Sequence, residues 1–270
     1  RGTYVTIEAP EMIEEDAGYH RDISVELAKI LRQMVSLHEK KVSDDLEEGM
    51  DVSVLIAGLG NREVTPDALG PKVVDHLFIT RHIINEFGHY AFSDEKTSRI
   101  SGIVPGVMAQ TGMECVEILR GIIKETEPDF IITVDALAAR NVKRLNRTIQ
   151  LTDTGITPGS GIGNHRNALN QESLGIPVIS LGVPTVVNAA TIVADAMNDL
   201  IEAETGSNAD LKNLDEHERQ ELARELLSPQ LNGLFVTPKN IDDSIKQLSF
   251  LISEGLNIAL LGNKDENANI

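Results

Sequence analysis

Short apolar runs of strand length alternate along this chain with longer stretches of helical period, and that alternation admits few folds. VSVLIA, residues 52–57, leads through a glycine turn into a helical pattern over 65–86. Residues 100–104 read as a strand before a helical pattern over 111–125, and FIITV, residues 130–134, is a strand again. Further short strands are expected at 148–151 and 177–181, then a helix over 185–203 after the turn Gly182-Val183-Pro184. Strands that alternate with helices predict an α/β fold, a mostly parallel sheet with helices on both faces. This core spans residues 51–203. An N-terminal appendage, residues 1–50, offers a strand at 3–8 and a helix at 23–35, where Ile23, Leu27, Ile30, Leu31 and Met34 recur at helical spacing. The C-terminal part, residues 204–270, reads as helices over 211–227 and from TPKNIDDS to about 261, with Thr237 as cap and Pro238 in the first turn. The polar stretch 203–210 is the candidate linker, and the whole is read as a single domain.

The first turn, GLGNREVTPDALG over 58–70, poses a question of charge. A dinucleotide fingerprint wants a third glycine, and Glu63 stands there instead of it. A phosphate loop wants a Gly-Lys-Ser/Thr ending, which is missing. Thr65-Pro66-Asp67 reads as a helix start, so Asp67 places a carboxylate where free N–H groups would otherwise attract phosphate. A plain helix-start carboxylate explains Asp67 taken alone.

A second acid changes that balance. Asp135 ends the strand 130–134, and in an open parallel sheet sites form beyond the carboxyl ends of the strands. Asp67 follows the first core strand and Asp135 ends the third, so both are expected to reach one crevice. Locally, Asp135 is equally well explained as the cap of a helix beginning at Ala136 and Leu137. The loops PGVMAQTG, DTGITPGSGIGN and GVPT lie on the same edge, and their glycines allow backbone to approach an extended peptide closely.

Composition narrows the partners. Of 270 residues 41% are apolar, enough for a real core, while a net charge of −18 opposes direct contact with nucleic acid or an anionic membrane. A basic protein or peptide partner fits better. Cys115 is the only cysteine, so no internal disulfide forms, and a cytosolic setting is expected. No segment has the length and purity of a membrane-spanning helix. The chain begins at Arg1 rather than Met, as a processed or truncated product would.

GLGNREVTPDALGP, the pair Arg81-His82, PGVMAQTGME, DALAAR, PGSGIGN and GVPTVV stand in one order here. Together they resemble the germination protease family of spore-forming bacteria, endopeptidases that degrade small acid-soluble spore proteins. The resemblance runs from Arg1 to about Leu260. It implies an α/β fold similar to that of hydrogenase maturation proteases, a zymogen that loses an N-terminal propeptide, a homotetramer, a spore-core location, and Asp67 and Asp135 as the catalytic acids. It also implies a preference for acidic residues around the scissile bond, which basic groups would meet. Arg62, Lys72, Arg81, Arg140, Lys143, Arg144, Arg147 and Arg166 are the candidates.

Two carboxyls sharing a site ionise at separated pKa values, so one serves as base and the other as acid toward a water held between them. That reading requires no cofactor. The alternative has Asp67 and Asp135 ligate a divalent metal that activates the water, with His165 as third ligand. His82, on the first core helix, is read as packing or interface. From another class comes a non-catalytic module that holds peptides in its glycine loops; an acid pair is superfluous to it.

Overall fold

The computed structural model describes residues 2–38, 50–92, 96–163, 166–203, 217–218 and 233–262. The chain opens with β1 (Tyr4–Glu8) and α1 (Ala17–Ser36), the latter capped by Asp16, whose carboxylate accepts from the Tyr19 N–H. The core follows as β2 (Ser53–Gly58), α2 (Leu69–Asp75), α3 (Arg81–Phe87), β3 (Arg99–Ile103), α4 (Met108–Thr111), α5 (Cys115–Thr126) and β4 (Phe130–Ala139). Then come β5 (Thr148–Thr152), α6 (Gln171–Leu174), β6 (Val178–Asn188), α7 (Ala189–Ala203), β7 (Phe235–Val236) and α8 (Ile241–Leu261).

The strands form a seven-stranded sheet in the order β1-β5-β6-β4-β2-β3, with β7 paired to β6. The run β6-β4-β2-β3 is parallel, and β1, β5 and β7 join antiparallel. Thus the expected parallel core is present and carries an antiparallel flank, in which β1 is an integral edge strand. Alternate residues of each strand face opposite sides. Val54, Ile56, Ile132, Val134 and Leu181 pack with α1, α2 and α8, while Leu55, Ala57, Ile131 and Val178 pack with α5 and α6. Helices therefore cover both faces, each on its own core.

Several boundaries depart from the sequence pattern. The expected helix over 65–86 is a 3₁₀ turn at Thr65–Asp67, then α2, a break, and α3. The break forms because Thr80, fully buried, turns its hydroxyl to the Ser98 carbonyl and accepts the Ile100 N–H, so it serves β3 in place of a helix. Gly112, at φ 71°, ends α4 and splits the helix expected over 111–125; α5 starts on a capping box of Glu114 and Glu117. β6 runs straight through Gly182-Val183-Pro184, the expected turn, and the helix begins only at Ala189. Pro184 is tolerated there because a bulge follows: β4 partners jump from Leu137↔Pro184 to Ala138↔Val186, leaving Thr185 out of register. Thr237 caps nothing; its hydroxyl donates to the Thr185 carbonyl, and α8 starts after Asn240. The stretch 204–210 and, apart from 217–218, the helix expected over 211–227 lie outside the described residues.

Candidate active site

The parallel strands β2, β4 and β6 end on one edge, and both acids stand there. β2 pairs with β4 only as far as Gly58↔Val134, where the Leu59 N–H donates to the Val134 carbonyl. Beyond that point β2 turns away through Gly60, at φ 111°. A Cβ on Gly60 would lie 2.0 Å from the Asp67 carbonyl oxygen, and one on Gly70 only 2.4 Å from the carbonyls of Leu59 and Val134. Glycines here let the Asp67 turn and the start of α2 press onto the strand ends. That close approach, rather than phosphate binding, accounts for the glycines of the first turn.

Asp67 closes the 3₁₀ turn and reaches back. Its Oδ2 accepts the Asn61 N–H at 2.6 Å, and no side-chain cap bond forms at the start of α2. Asp67 thus stands in the first turn of a short 3₁₀ helix, as the sequence pattern has it, while its carboxylate bonds back across the glycine turn rather than capping α2. Asp135 is 5% exposed and sits within β4, which continues to Ala139, so no helix follows for it to cap. Its Oδ1 accepts the Ala136 N–H at 2.9 Å.

Burial governs the protonation of both acids. It pushes the Asp135 carboxyl up to about 7, with the Asp67 carboxylate adding to the rise and the Ala136 N–H opposing it. Burial also raises Asp67, against the Asn61 N–H, which favours its anion. The more deeply buried Asp135 is the one that keeps the proton near neutrality, and Asp67 the one that ionises. The two carboxyls are thus shifted unequally, the separation that a working acid and base require.

Two cavities meet at the pair. Both are lined by Asp67, Asp135 and Gly159. One continues along Ala136, Leu137 and Ala138 to Arg140, with Thr185 and Phe235 in its walls. The other runs past Gly106 and Met108 to Cys115 and Arg166. All three glycine-bearing stretches of the sequence contribute to this trough, the third of them as strand β6 through Thr185. Of the basic candidates, Arg140 and Arg166 line one cavity each. Arg62 is ion-paired with Asp75, Lys143 stands 3.7 Å from Asp199, and Arg81 lines a separate pocket with Asp51 and Asp129. Lys72, Arg144 and Arg147 line neither cavity. His82 is exposed on α3.

Asn61, Glu114 and Cys115 were not singled out in the sequence as site residues. Asn61 is legible in hindsight as the fourth letter of GLGN. Glu114 ties the far wall together, since its Oε2 accepts both the backbone and side-chain N–H of Asn167 while its carboxylate caps α5. Burial foremost, then Asp135, raise the Cys115 thiol pKa, which keeps the thiol protonated and a weak nucleophile.

The metal reading needs a third ligand. Among the described residues no group of three His, Cys, Asp or Glu side chains is gathered to hold an ion, and His165 lies outside them. The described donor set supplies the two carboxylates and no third ligand beside them.

The profile of the germination protease family matches residues 1–212 and 205–270. A germination protease of Caldanaerobacter subterraneus subsp. tengcongensis is 44% identical over 266 residues, covering 96% of this chain and 78% of its own. That of Clostridium perfringens is 43% identical over 270 residues, with 97% and 79% covered, and that of Bacillus velezensis is 40% identical over 297 residues, with 96% and 78% covered. Among solved structures, a [NiFe] hydrogenase maturation protease, HycI from Thermococcus kodakarensis, is 18% identical with a TM-score of 0.34, covering 76% of this chain and 92% of that one. At that distance the structural likeness carries no inference.

Proposed function

The chain belongs to the germination protease family, and from that premise we propose that it is an endopeptidase that initiates degradation of small acid-soluble spore proteins in the germinating spore core. The observation that carries the mechanism is the meeting of a buried carboxyl, Asp135, and a half-buried one, Asp67, where two cavities join. A trough that continues past the acids in two directions suits a bond inside a polypeptide rather than at its end.

Asp67, ionised and steadied by the Asn61 N–H, takes a proton from a water lying between the acids. Asp135, protonated, donates to the scissile carbonyl oxygen as the water oxygen attacks the carbonyl carbon. The tetrahedral diol then collapses: the proton taken by Asp67 passes to the leaving amide nitrogen as the C–N bond breaks, and one diol hydroxyl returns its proton to Asp135 as the C=O re-forms. Arg140 and Arg166 offer positive charge on the two sides of the cut to acidic substrate side chains. The proposal extends to what the sequence resemblance implies, an active enzyme that arises from a zymogen and assembles as a homotetramer.

Single Asp67→Asn and Asp135→Asn variants test this. Each is expected to lose at least a thousandfold in cleavage of a small acid-soluble spore protein, about the scale of removing one member of a catalytic unit. The double variant should be hardly slower than either single one. Near-wild-type cleavage in either variant overturns the mechanism, and an intact substrate with the wild-type enzyme at every pH favours the peptide-holding module. Exhaustive chelation of the wild type is expected to leave cleavage unchanged.

A further inference from the structure

We infer that the substrate binds as an added β-strand on the edge of β4 that β2 vacates, so that the peptide main chain follows the track of β2 between Asp135 and Asp67. The inference rests on the protease reading above and names how that site holds its substrate.

β4 extends five residues past its last β2 partner, from Asp135 to Ala139, and over this length it pairs, among the described residues, only with β6. A strand's main-chain groups alternate in direction, and the Val134 carbonyl, pointing to the β2 side, fixes the phase. Ala136 and Ala138 therefore send their N–H and C=O groups to the same open side. The Ala136 N–H is taken by the Asp135 carboxylate. Among the described residues no other chain segment bonds the Ala136 carbonyl or the Ala138 N–H and C=O on that side. Such an edge, three consecutive half-buried residues at the mouth of a cavity, is a template for a further strand.

β2 is turned out of this slot by its own sequence. Gly60, at φ 111°, diverts the chain as soon as β2 has delivered its last bond, and returns it as the turn that carries Asp67 to the far side. A strand lying in the slot therefore passes one acid on its β4 side and the other across from it. The first residue beyond the pairing is Asp135 itself, so main-chain docking sets the register of the scissile bond against the acids. Successive substrate side chains alternate between the two faces of the sheet. That leaves selection to alternate positions and makes the main chain the common handle.

An N-methyl scan of a short peptide spanning the bond cut in a small acid-soluble spore protein tests the proposal. An added strand uses every second substrate N–H, so methylation should lower kcat/KM about tenfold or more at alternate residues and only slightly between them. Losses that ignore this alternation, or none at all, overturn the added strand while leaving the protease reading intact. Failure of the unmethylated peptide to be cut while the intact spore protein is cut also overturns it, because a main-chain handle needs no more than an extended segment. Failure to cut either overturns the protease reading and the strand with it. In the enzyme, Ala138→Pro removes one open-edge N–H without touching either acid. It should raise KM for the unmethylated peptide about tenfold at nearly constant kcat, and unchanged KM in a folded variant sinks the proposal.

Discussion

Asp135 costs the fold what it contributes to the chemistry. Its folded-state carboxyl sits at about 7, above the 3.8 expected of it in the open chain, so below pH about 3.8 both states are protonated and its contribution to stability is whole. As pH rises from there the unfolded chain ionises first, and stability falls until the folded carboxyl also ionises near pH 7. The penalty at neutral pH and above is on the order of 2–4 kcal/mol. Asp135→Asn has no charge to bury, so it should be more stable than wild type by that order at pH 8 and close to wild type at pH 4. Denaturant unfolding at the two pH values measures it, and an equal difference at both would mean the gain has another source. The same ionisation bounds the activity: kcat/KM should fall as pH passes about 7, where Asp135 loses its proton, and fall again on the acid side as Asp67 gains one.

At the scale of the element, what decides the site is where strands stop. β2 stops at Gly58 and β4 does not stop with it, and the sequence shows only half of this. The run FIITV is followed by a charged residue, which reads as the end of a strand, yet Ala136 to Ala139 are apolar residues, three of them alanine, compatible with strand or helix. Pairing with β6 chooses the strand, and β6 is itself extended through Pro184 by a bulge that no local pattern announces. The meeting of Asp67 and Asp135 was legible because it follows from chain order in a parallel sheet. Their bonding partners were not, since Asn61 reaches Asp67 only once Gly60 adopts a positive φ. Likewise helices on both faces followed from the alternation of strand and helix patterns, whereas the break before α3 depends on Thr80 finding β3. Gly70 gives this scale its test. A Cβ there meets two backbone carbonyls at 2.4 Å, which cannot swing aside as a side chain can. Gly70→Ala should destabilise by about 1–3 kcal/mol and push α2 and the Asp67 turn off the strand ends, lowering cleavage as well. Calorimetry and an activity assay on the same preparation measure the two effects. A variant as stable and active as wild type would show that the close packing of α2 is dispensable.

For the whole molecule, the question is what a second copy would cover. The chain has 6 Phe and 3 Tyr in 270 residues, and it leaves Phe78, Phe87 and Tyr90 more than half exposed within a short span around α3. Aromatic side chains gathered at the surface in this way are what subunit contacts bury, while a charge of −18 keeps copies apart wherever such contacts are lacking. The two effects together favour a defined assembly over open-ended association, and the family resemblance sets the expected number at four. Light scattering at micromolar concentration should give about four times 29.4 kDa, and a particle of one chain mass would end the tetramer proposal. Assembly also couples to stability by mass action, so Tm should rise with protein concentration for the assembled form and stay flat for a lone chain. Replacing Phe87 and Tyr90 together by Ser removes only exposed apolar surface, so it should leave the monomer fold in place while lowering the measured mass and flattening that concentration dependence. An unchanged mass in the double variant would move the contact elsewhere on the surface, because a contact built on those two rings cannot survive their loss.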